Sequence, residues 1–168
     1  MATNLQFIKS ASATSVAFLQ ITDCFNADYD VYKVLLDSDN ASNADLYTRV
    51  INNSGTVIST GSKYEFASYE LNVSGNFGVY KNTGVNQFEG IGFTALTGNV
   101  TVAYFYNPHN SSSYTFAMSQ SSSFYASNYM RGGKAIGVYK NADTITGLEF
   151  RQNSTDFSYI NVSVYGVK

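Results

Sequence analysis

The chain has 168 residues, a formal net charge of −2 and only 13% charged side chains, but it contains 14 Tyr and 12 Phe. One His and one Cys exclude a His-rich metal cluster, a Cys-rich zinc site and an intrachain disulfide framework. Lys and Arg are scattered without a basic stripe, which argues against nucleic-acid binding.

Residues 1–13 are predicted to form an N-terminal arm, which needs a sheet edge or a partner chain to become ordered. The arm lacks a basic region followed by a long apolar stretch. No apolar run in the chain approaches the ~20 residues of a membrane helix. We therefore expect neither secretion by the usual route nor insertion into a membrane.

Residues 14–168 are predicted to form one antiparallel β-sandwich, jelly-roll-like, with about 10–12 strands. Apolar and polar residues alternate with a period of two, in segments that recur about every ten to fifteen residues. Aromatic and β-branched residues suit such strands. The predicted strands are 15–21, 29–36, 45–51, 64–71, 77–81, 88–95, 100–106, 113–118, 124–129, 135–139, 145–150 and 159–167.

The alternation also predicts which side chains point into the core, because successive side chains of a strand point to opposite faces. Cys24 is expected to be a small buried hydrophobic residue. The strand residues predicted to point inward are Val16, Phe18, Val34, Leu36, Val102, Tyr104, Val162 and Val164.

One pentapeptide, Gly-Val-Tyr-Lys-Asn, occurs at Gly78–Asn82 and again at Gly137–Asn141. Each copy is followed by Gly-x-x-Phe and then by an alternating aliphatic strand. Two interpretations stay open: the repeat marks two sheets with related ladders, or it is a chance reuse of strand and turn chemistry.

The best metal candidate is the group Asp37, Asp39 and Asp45, because a hard cation needs several oxygen ligands from one loop. The EF-hand template fails, since Ala41 stands at a ligand position and Thr48 replaces the closing Glu. The alternative is a solvated turn rich in Asp and Asn. We predict no metal site and no cofactor.

Catalytic residues are equally hard to find in the sequence. Glu89 and Glu149 occupy similar places after the two pentapeptides and could act as a glycosidase pair, but Glu65 and Glu70 are equally well placed. His109 follows the only Pro and is interpreted as part of a turn. The sequence therefore predicts that the protein is not an enzyme.

The most suggestive segment for binding is 110–131, which is rich in Tyr, Ser and Asn, the mixture that antibody loops use. The alternative is two half-buried strands joined by Gln120–Ser123. We predict a partner-binding patch formed by Tyr125, Asn128, Tyr129 and Arg131. Alternation along strand 124–129 puts the two tyrosines and the arginine on one face, and Asn128 joins them only if the strand bulges or ends before it.

The final strand, Val162–Lys168, ends in Val-Tyr-Gly-Val-Lys and resembles the close of small tail-fibre and appendage proteins of tailed phages. The segments Cys24–Lys33 and Tyr104–Pro108 agree in style, although His109 stands where that family usually has an aliphatic or aromatic residue. The likeness covers roughly residues 14–168 and its motifs are structural.

The resemblance implies a homotrimeric β-sandwich on the virion surface that serves adhesion to the host. Its partners would be other copies of the chain, other virion proteins and a host surface glycan. Two alternatives stay open: a capsid decoration (cement) protein and a free lectin-like carbohydrate-binding module.

Overall fold

The computed structural model describes residues 4–40, 44–73, 75, 77–92, 97–125, 129–152 and 154–168. Strands are the regular elements of these residues. The described part of the chain contains no helix with the length and apolar character needed to cross a membrane. The strands are β1 (Leu5–Val16), β2 (Phe18–Ile21), β3 (Val31–Asn40), β4 (Leu46–Asn52), β5 (Tyr64–Asn72), β6 (Phe77–Val85), β7 (Phe88–Gly92), β8 (Thr97–Tyr106), β9 (Thr115–Tyr125), β10 (Tyr129–Tyr139), β11 (Ile145–Gln152) and β12 (Phe157–Val167).

Two antiparallel sheets form a β-sandwich, which confirms the predicted fold class. The larger sheet has eight strands in the order β1-β12-β3-β8-β9-β10-β5-β6, and the smaller sheet has four in the order β2-β11-β4-β7. Buried side chains from both sheets form one hydrophobic core between them. The smaller sheet covers one face of the larger sheet, so each sheet also has an outer face.

The repeated pentapeptide marks two equivalent paths through the sandwich. The first copy lies in β6, the second begins in β10 and ends two residues beyond it, and the two strands pair with opposite edges of β5 in the larger sheet. The strands that follow, β7 and β11, flank β4 in the smaller sheet, and the next ones, β8 and β12, flank β3 in the larger sheet. The copies therefore do not mark two different sheets: each leads from the larger sheet into the smaller one and back.

The predicted N-terminal arm pairs with its own domain. Leu5–Ala13 lie in β1, which runs antiparallel to β12 along the edge of the larger sheet, with one irregularity between Phe7 and Lys9. Ile8, Ala11 and Ala13 pack against the core from this edge. A sheet edge of the same chain thus supplies the backbone partners that the arm needs.

The predicted inward faces are confirmed for β3 and β12, where Val34, Leu36, Val162 and Val164 are buried. Val16 is partly buried against the same core. In these strands aliphatic residues alternate with polar ones, so one face is clearly apolar. The hydrophobic pattern then determines the orientation of the strand.

Three inward predictions are wrong. Phe18 is exposed, and Val102 and Tyr104 lie on the outer face of the larger sheet, while Phe105 points into the core. Ser15 has a positive φ of 54°, and a break after Val16 separates β1 from β2, so the alternation does not continue through the predicted strand 15–21. In β8 both faces carry apolar residues, so the sequence pattern does not indicate which face points into the core.

The predicted strand 124–129 is also wrong. β9 continues through Gln120–Ser123 as far as Tyr125, and β10 begins at Tyr129. Tyr129 pairs directly with Tyr125, and Arg131 pairs with Ser123. These residues therefore belong to two antiparallel strands.

Aromatic residues fill the centre of the core. The Tyr64 ring lies edge-on to Phe88 with centroids 4.9 Å apart, and it lies 5.1 Å from the Tyr139 ring. The Tyr64 hydroxyl donates to the Ile58 carbonyl (2.8 Å) and accepts from the Val50 amide (3.2 Å). Burial raises the pKa of Tyr64. This hydrogen-bonded ring ties β5 of the larger sheet to β4 of the smaller one.

Candidate functional site

The predicted binding patch surrounds the connection between β9 and β10. The register brings the backbones of Tyr125 and Tyr129 together as a pair, and Arg131 follows two residues later on β10. Asn128 lies outside the described residues. The role of these four residues in partner binding stays a prediction.

Arg131 is half-buried, and its side chain turns toward the interior of the sandwich. Its Nε atom lies 3.5 Å from Oε1 of Glu70, and both side chains are largely covered. Glu70 belongs to β5, which neighbours β10 in the larger sheet. This ion pair forms one wall of a depression between the edges of the two sheets.

We call this depression the inter-sheet cleft, and its volume is about 270 Å³. The backbone of Gly90, which lines the cleft, lies close to Ser68. Gly90 has a φ of +76°, and an added Cβ would lie 2.8 Å from Oγ of Ser68. Three carboxylates against one guanidinium give the cleft a net negative charge. The polar and aromatic side chains that line it are Asp45, Tyr47, Glu70, Tyr80, Glu89 and Arg131.

The outer face of the larger sheet, which we call the wide face, is unusually apolar. One row of directly paired residues crosses all eight strands from Phe7 on β1 to Lys81 on β6. Ile136 and Met118, in the middle of this row, are 58% and 50% exposed. The apolar side chains at the centre of the wide face are Tyr104, Tyr106, Phe116, Met118, Ile136 and Val138.

Two broad depressions lie on the wide face. One, of about 880 Å³, extends from Leu35 on β3 past Tyr104 to Lys134 on β10. The other, of about 720 Å³, lies between Tyr106 and Lys81 and has Ile136 in its floor. Large apolar side chains therefore line depressions in the wide face as well as protruding from it. A partner surface of complementary shape could pack into these depressions.

Charged residues on the wide face are few and nearly balanced in sign. Two of the acidic ones already have partners: Asp37 accepts a hydrogen bond from the Tyr159 hydroxyl (2.7 Å), and Glu65 lies 2.5 Å from Nζ of Lys140. Burial, together with the bond to Asp37, raises the pKa of Tyr159 to about 12. The charged side chains of this face are Lys33, Lys81, Lys134, Asp37, Asp39 and Glu65, with Lys140 at its margin.

The outer face of the smaller sheet has the opposite character. Glu149 points outward from β11 but is only 5% exposed, because polar side chains cover it. Its Oε1 lies 3.5 Å from Nη1 of Arg49 and 3.7 Å from Nη1 of Arg151, and its Oε2 accepts from Gln20 (2.9 Å). Burial and the neighbouring Arg151 lower the pKa of Arg49. Arg49 also donates to Gln87 (2.9 Å), which completes a polar ladder that joins β2, β11 and β4 to the residue just before β7.

The carboxylates considered for catalysis and for metal binding are not gathered into a site. Glu149 is held in the polar ladder on β11, whereas Glu89 is on β7 with β4 between them. Asp37 and Asp39 lie on β3 in the larger sheet, while Asp45 precedes β4 of the smaller one. Within the described residues, no group of three or more His, Cys, Asp or Glu side chains could hold a metal ion.

His109 and Cys24 lie where the sequence predicts them, in a turn and in the core. His109 lies in the turn after Asn107, whose φ is 55°. Cys24 is fully buried, which confirms the prediction, and burial raises the pKa of its thiol to about 12. A neutral, inaccessible thiol is a poor nucleophile.

Comparisons with known proteins do not identify a family. No family model matches the chain, and no curated protein matches it. Among solved structures, it is similar to the CspB protease of Clostridium perfringens (9% identity, TM-score 0.35, 98% of this chain and 26% of that one). It is also similar to an exo-inulinase of Aspergillus awamori (10%, TM-score 0.40, 98% and 29%) and to Ail of Yersinia pestis (9%, TM-score 0.22, 72% and 99%).

The chain spans less than a third of the length of the first two structures. At these TM-scores the similarities carry no argument about function. The functional interpretation therefore depends on the surfaces of the molecule itself.

The wide face was not predicted from the sequence. On β9 the large apolar residues Phe116 and Met118 point outward, and the small residues Ala117, Ser119 and Ser121 point inward. This is the reverse of the usual assignment, in which the larger apolar residues are buried. The available signal was the regular alternation of large apolar residues with small ones.

Proposed function

We propose that this chain is a structural protein of a phage virion surface, a tail-fibre or appendage module that serves adhesion to the host. The observation that carries the proposal is the wide face. Monomeric soluble proteins rarely expose a contiguous apolar patch larger than a few hundred Å² without using it for interaction. A protein whose work is assembly and attachment needs such a surface.

The arrangement of the sandwich fits this role. The core is large and aromatic, and β1 closes one edge of the larger sheet by pairing with β12. A rigid sandwich of this kind presents its side chains in fixed positions, which reduces the conformational entropy lost on association. The likeness of the final strand to those of phage appendage proteins supports the same proposal.

The proposal is tested by imaging the virus particle with this chain labelled. We expect the label on a tail fibre or another appendage. A label distributed over the capsid would favour the decoration (cement) protein instead. Absence of the label from purified particles, with the chain found free, would contradict both.

The predicted patch gives a second test in the same system. Because Tyr and Arg often carry the binding energy of an interface, each can cost on the order of 2 kcal/mol when truncated at a hot spot. We expect particles that carry the double variant Tyr125→Ala, Tyr129→Ala to keep the folded protein and to lose attachment to the host. Unchanged attachment would move the binding surface elsewhere.

The inter-sheet cleft favours a second candidate function, a lectin-like carbohydrate-binding module. Tyr47 and Tyr80 can contact the apolar face of a sugar ring, while Glu70 and Glu89 can accept hydrogen bonds from its hydroxyls. The net negative charge of the cleft favours a neutral sugar over an acidic one. A screen on immobilised glycans tests this: neutral glycans should be retained by the wild type and lost with Glu89→Gln.

A further inference from the structure

We infer that the wide face is covered by another copy of this chain. The inference names the partner for the surface on which the proposed function rests. The outer face of the smaller sheet is already covered by its own polar ladder, whereas the wide face leaves Met118 and Ile136 half or more exposed. A partner would remove these side chains from water.

The size of the wide face is sufficient for a stable interface. Eight strands spaced by about 4.8 Å span about 38 Å, and four rows of outward side chains extend about 25 Å along the strands. The product is roughly 950 Å², compared with about 800 Å² per partner in a standard interface. Most of this face could therefore be buried by one neighbour of similar size.

The composition of the wide face is that of a permanent interface. Its central row joins Tyr104, Met118, Ile136 and Ala67 across four successive strands without a charged residue. Interfaces between obligate partners are more apolar than transient ones and resemble a domain core cut in half. Since most soluble oligomers are built from identical chains, a second copy is the partner that fits this composition best.

The charges of the wide face favour the same partner. Four lysines, namely Lys33, Lys81, Lys134 and the Glu65 partner Lys140, stand against three carboxylates, on Asp37, Asp39 and Glu65, so the formal net charge is only +1. Two faces with so small a net charge repel each other only weakly. A face adapted to a strongly charged partner would carry an excess of the opposite sign.

The experiment measures the mass of the full chain in solution at micromolar concentration. We expect an assembly with an integral multiple of the 18.4 kDa chain mass. The double variant Met118→Glu, Ile136→Glu should dissociate, with the concentration for half-dissociation raised more than about 100-fold, because it buries two unpaired charges. Circular dichroism should show that the variant keeps its strand content.

The control variant is Phe18→Glu. Phe18 is 48% exposed, comparable with Met118, but it lies on the outer face of the smaller sheet beside Arg151. It should leave the assembly intact. If the double Glu variant does not fold, the neutral pair Met118→Gln, Ile136→Thr repeats the test, with a smaller increase in dissociation expected.

A monomeric wild-type chain overturns the inference, and so does an assembly that survives the folded wide-face variant. These outcomes are independent of the particle-imaging test. A chain that is monomeric in solution but present on an appendage would leave the proposed function standing. An assembly in solution without the chain on particles would do the reverse.

Discussion

The two outer faces of this sandwich differ in how far their outward-pointing side chains are exposed to solvent. On the smaller sheet, Glu149 points outward yet is buried by Arg49, Arg151 and Gln20, so the chain covers its own polar surface. On the larger sheet, outward residues such as Ile136 have no such cover and stay exposed. The first face is covered within one chain, and the second is the face for which we propose a partner.

The contrast shows that a side chain pointing outward from a strand can be either buried or exposed. Residues 22–25 run beside β11, where the Cys24 amide donates to the Thr146 carbonyl (2.9 Å), so the chain also protects part of the smaller sheet. In the described residues, the wide face has no comparable segment across its centre. Mutations on the two faces should therefore affect different quantities: folding for the smaller sheet and association for the larger one.

The largest effect is expected from Glu149→Ala. Removing the carboxylate leaves two arginines close together without their common partner, and Arg49 is largely buried. Breaking a buried ion pair by removing one partner typically costs about 3–5 kcal/mol, and we expect a loss within this range here. Urea unfolding followed by circular dichroism measures the free energy of unfolding.

Glu149→Gln is the matched control for this prediction. It keeps the size of the side chain and part of its hydrogen bonding while it removes the charge. We expect it to cost less than the alanine variant. If both variants unfold at the wild-type urea concentration, the polar ladder does not stabilise the smaller sheet and the contrast between the faces is lost.

The second effect concerns close packing on the smaller sheet. A Cβ added at Gly147 would clash with the Ile21 carbonyl oxygen and lie 3.0 Å from Cα of Thr22, both backbone atoms. Backbone atoms of a paired strand cannot easily move away. We expect Gly147→Ala to destabilise the fold by about 1–3 kcal/mol, measured by thermal or urea unfolding.

Gly78→Ala provides the comparison for Gly147. Its added Cβ would meet the outer part of the Tyr80 side chain at 2.9 Å, and this ring is half exposed on the edge strand β6. Because a side chain at the surface can rotate away, the cost should be smaller. Equal losses from the two variants would show that neighbouring backbone is not the cause.

The fold could be predicted from the sequence where one face of a strand is clearly apolar. In β12, Ile160, Val162 and Val164 alternate with polar residues, and both the strand and its inward face are confirmed. The Ser-rich stretch Gln120–Ser123 was interpreted as a connection between two strands, yet it lies within β9 because β8 and β10 pair with it on both sides. The local amino-acid composition of this stretch does not predict its pairing with β8 and β10.

The candidate sites were less predictable because they depend on distant pairings. Arg131 was selected from the sequence, but its partner Glu70 comes from β5, about sixty residues earlier in the chain. The wide face requires the order β8-β9-β10-β5, in which β5 is placed beside β10 and not beside β4. No local pattern specifies that order.

Alkaline pH should separate the core from both faces. Burial raises the pKa of Cys24 from 9.0 to about 12 and that of Tyr32 from 10.0 to about 12. These groups stay neutral in the folded state while they ionise in the unfolded state. Their stabilising contribution is therefore fully present below pH 9 and is lost progressively as the pH rises toward 12.

The measurement is the urea midpoint at several pH values between 7 and 11. We expect a decline that begins near pH 9, and Tyr32→Phe should make the decline shallower. The variant also loses the hydrogen bond that the Tyr32 hydroxyl donates to the Asn26 carbonyl (2.7 Å), so its midpoint at pH 7 should be lower. A midpoint that does not change up to pH 11 would contradict the assignment of these groups to the core.

The smallest effect is expected from an ion pair at the margin of the wide face, Glu65 with Lys140. Nζ and Oε1 are only 2.5 Å apart, but the side chains are 40% and 34% exposed. Water screens such a pair and ordering two flexible side chains costs entropy, so exposed pairs contribute about 0–1 kcal/mol. Glu65→Gln should thus change the free energy of unfolding by less than about 1 kcal/mol, and added salt should reduce the difference further. The two variants are compared under identical conditions. If Glu65→Gln lowers the free energy of unfolding as much as Glu149→Ala does, burial does not distinguish the two faces. If its loss is small, the different effects of the two variants follow from the different exposure of the two carboxylates to solvent.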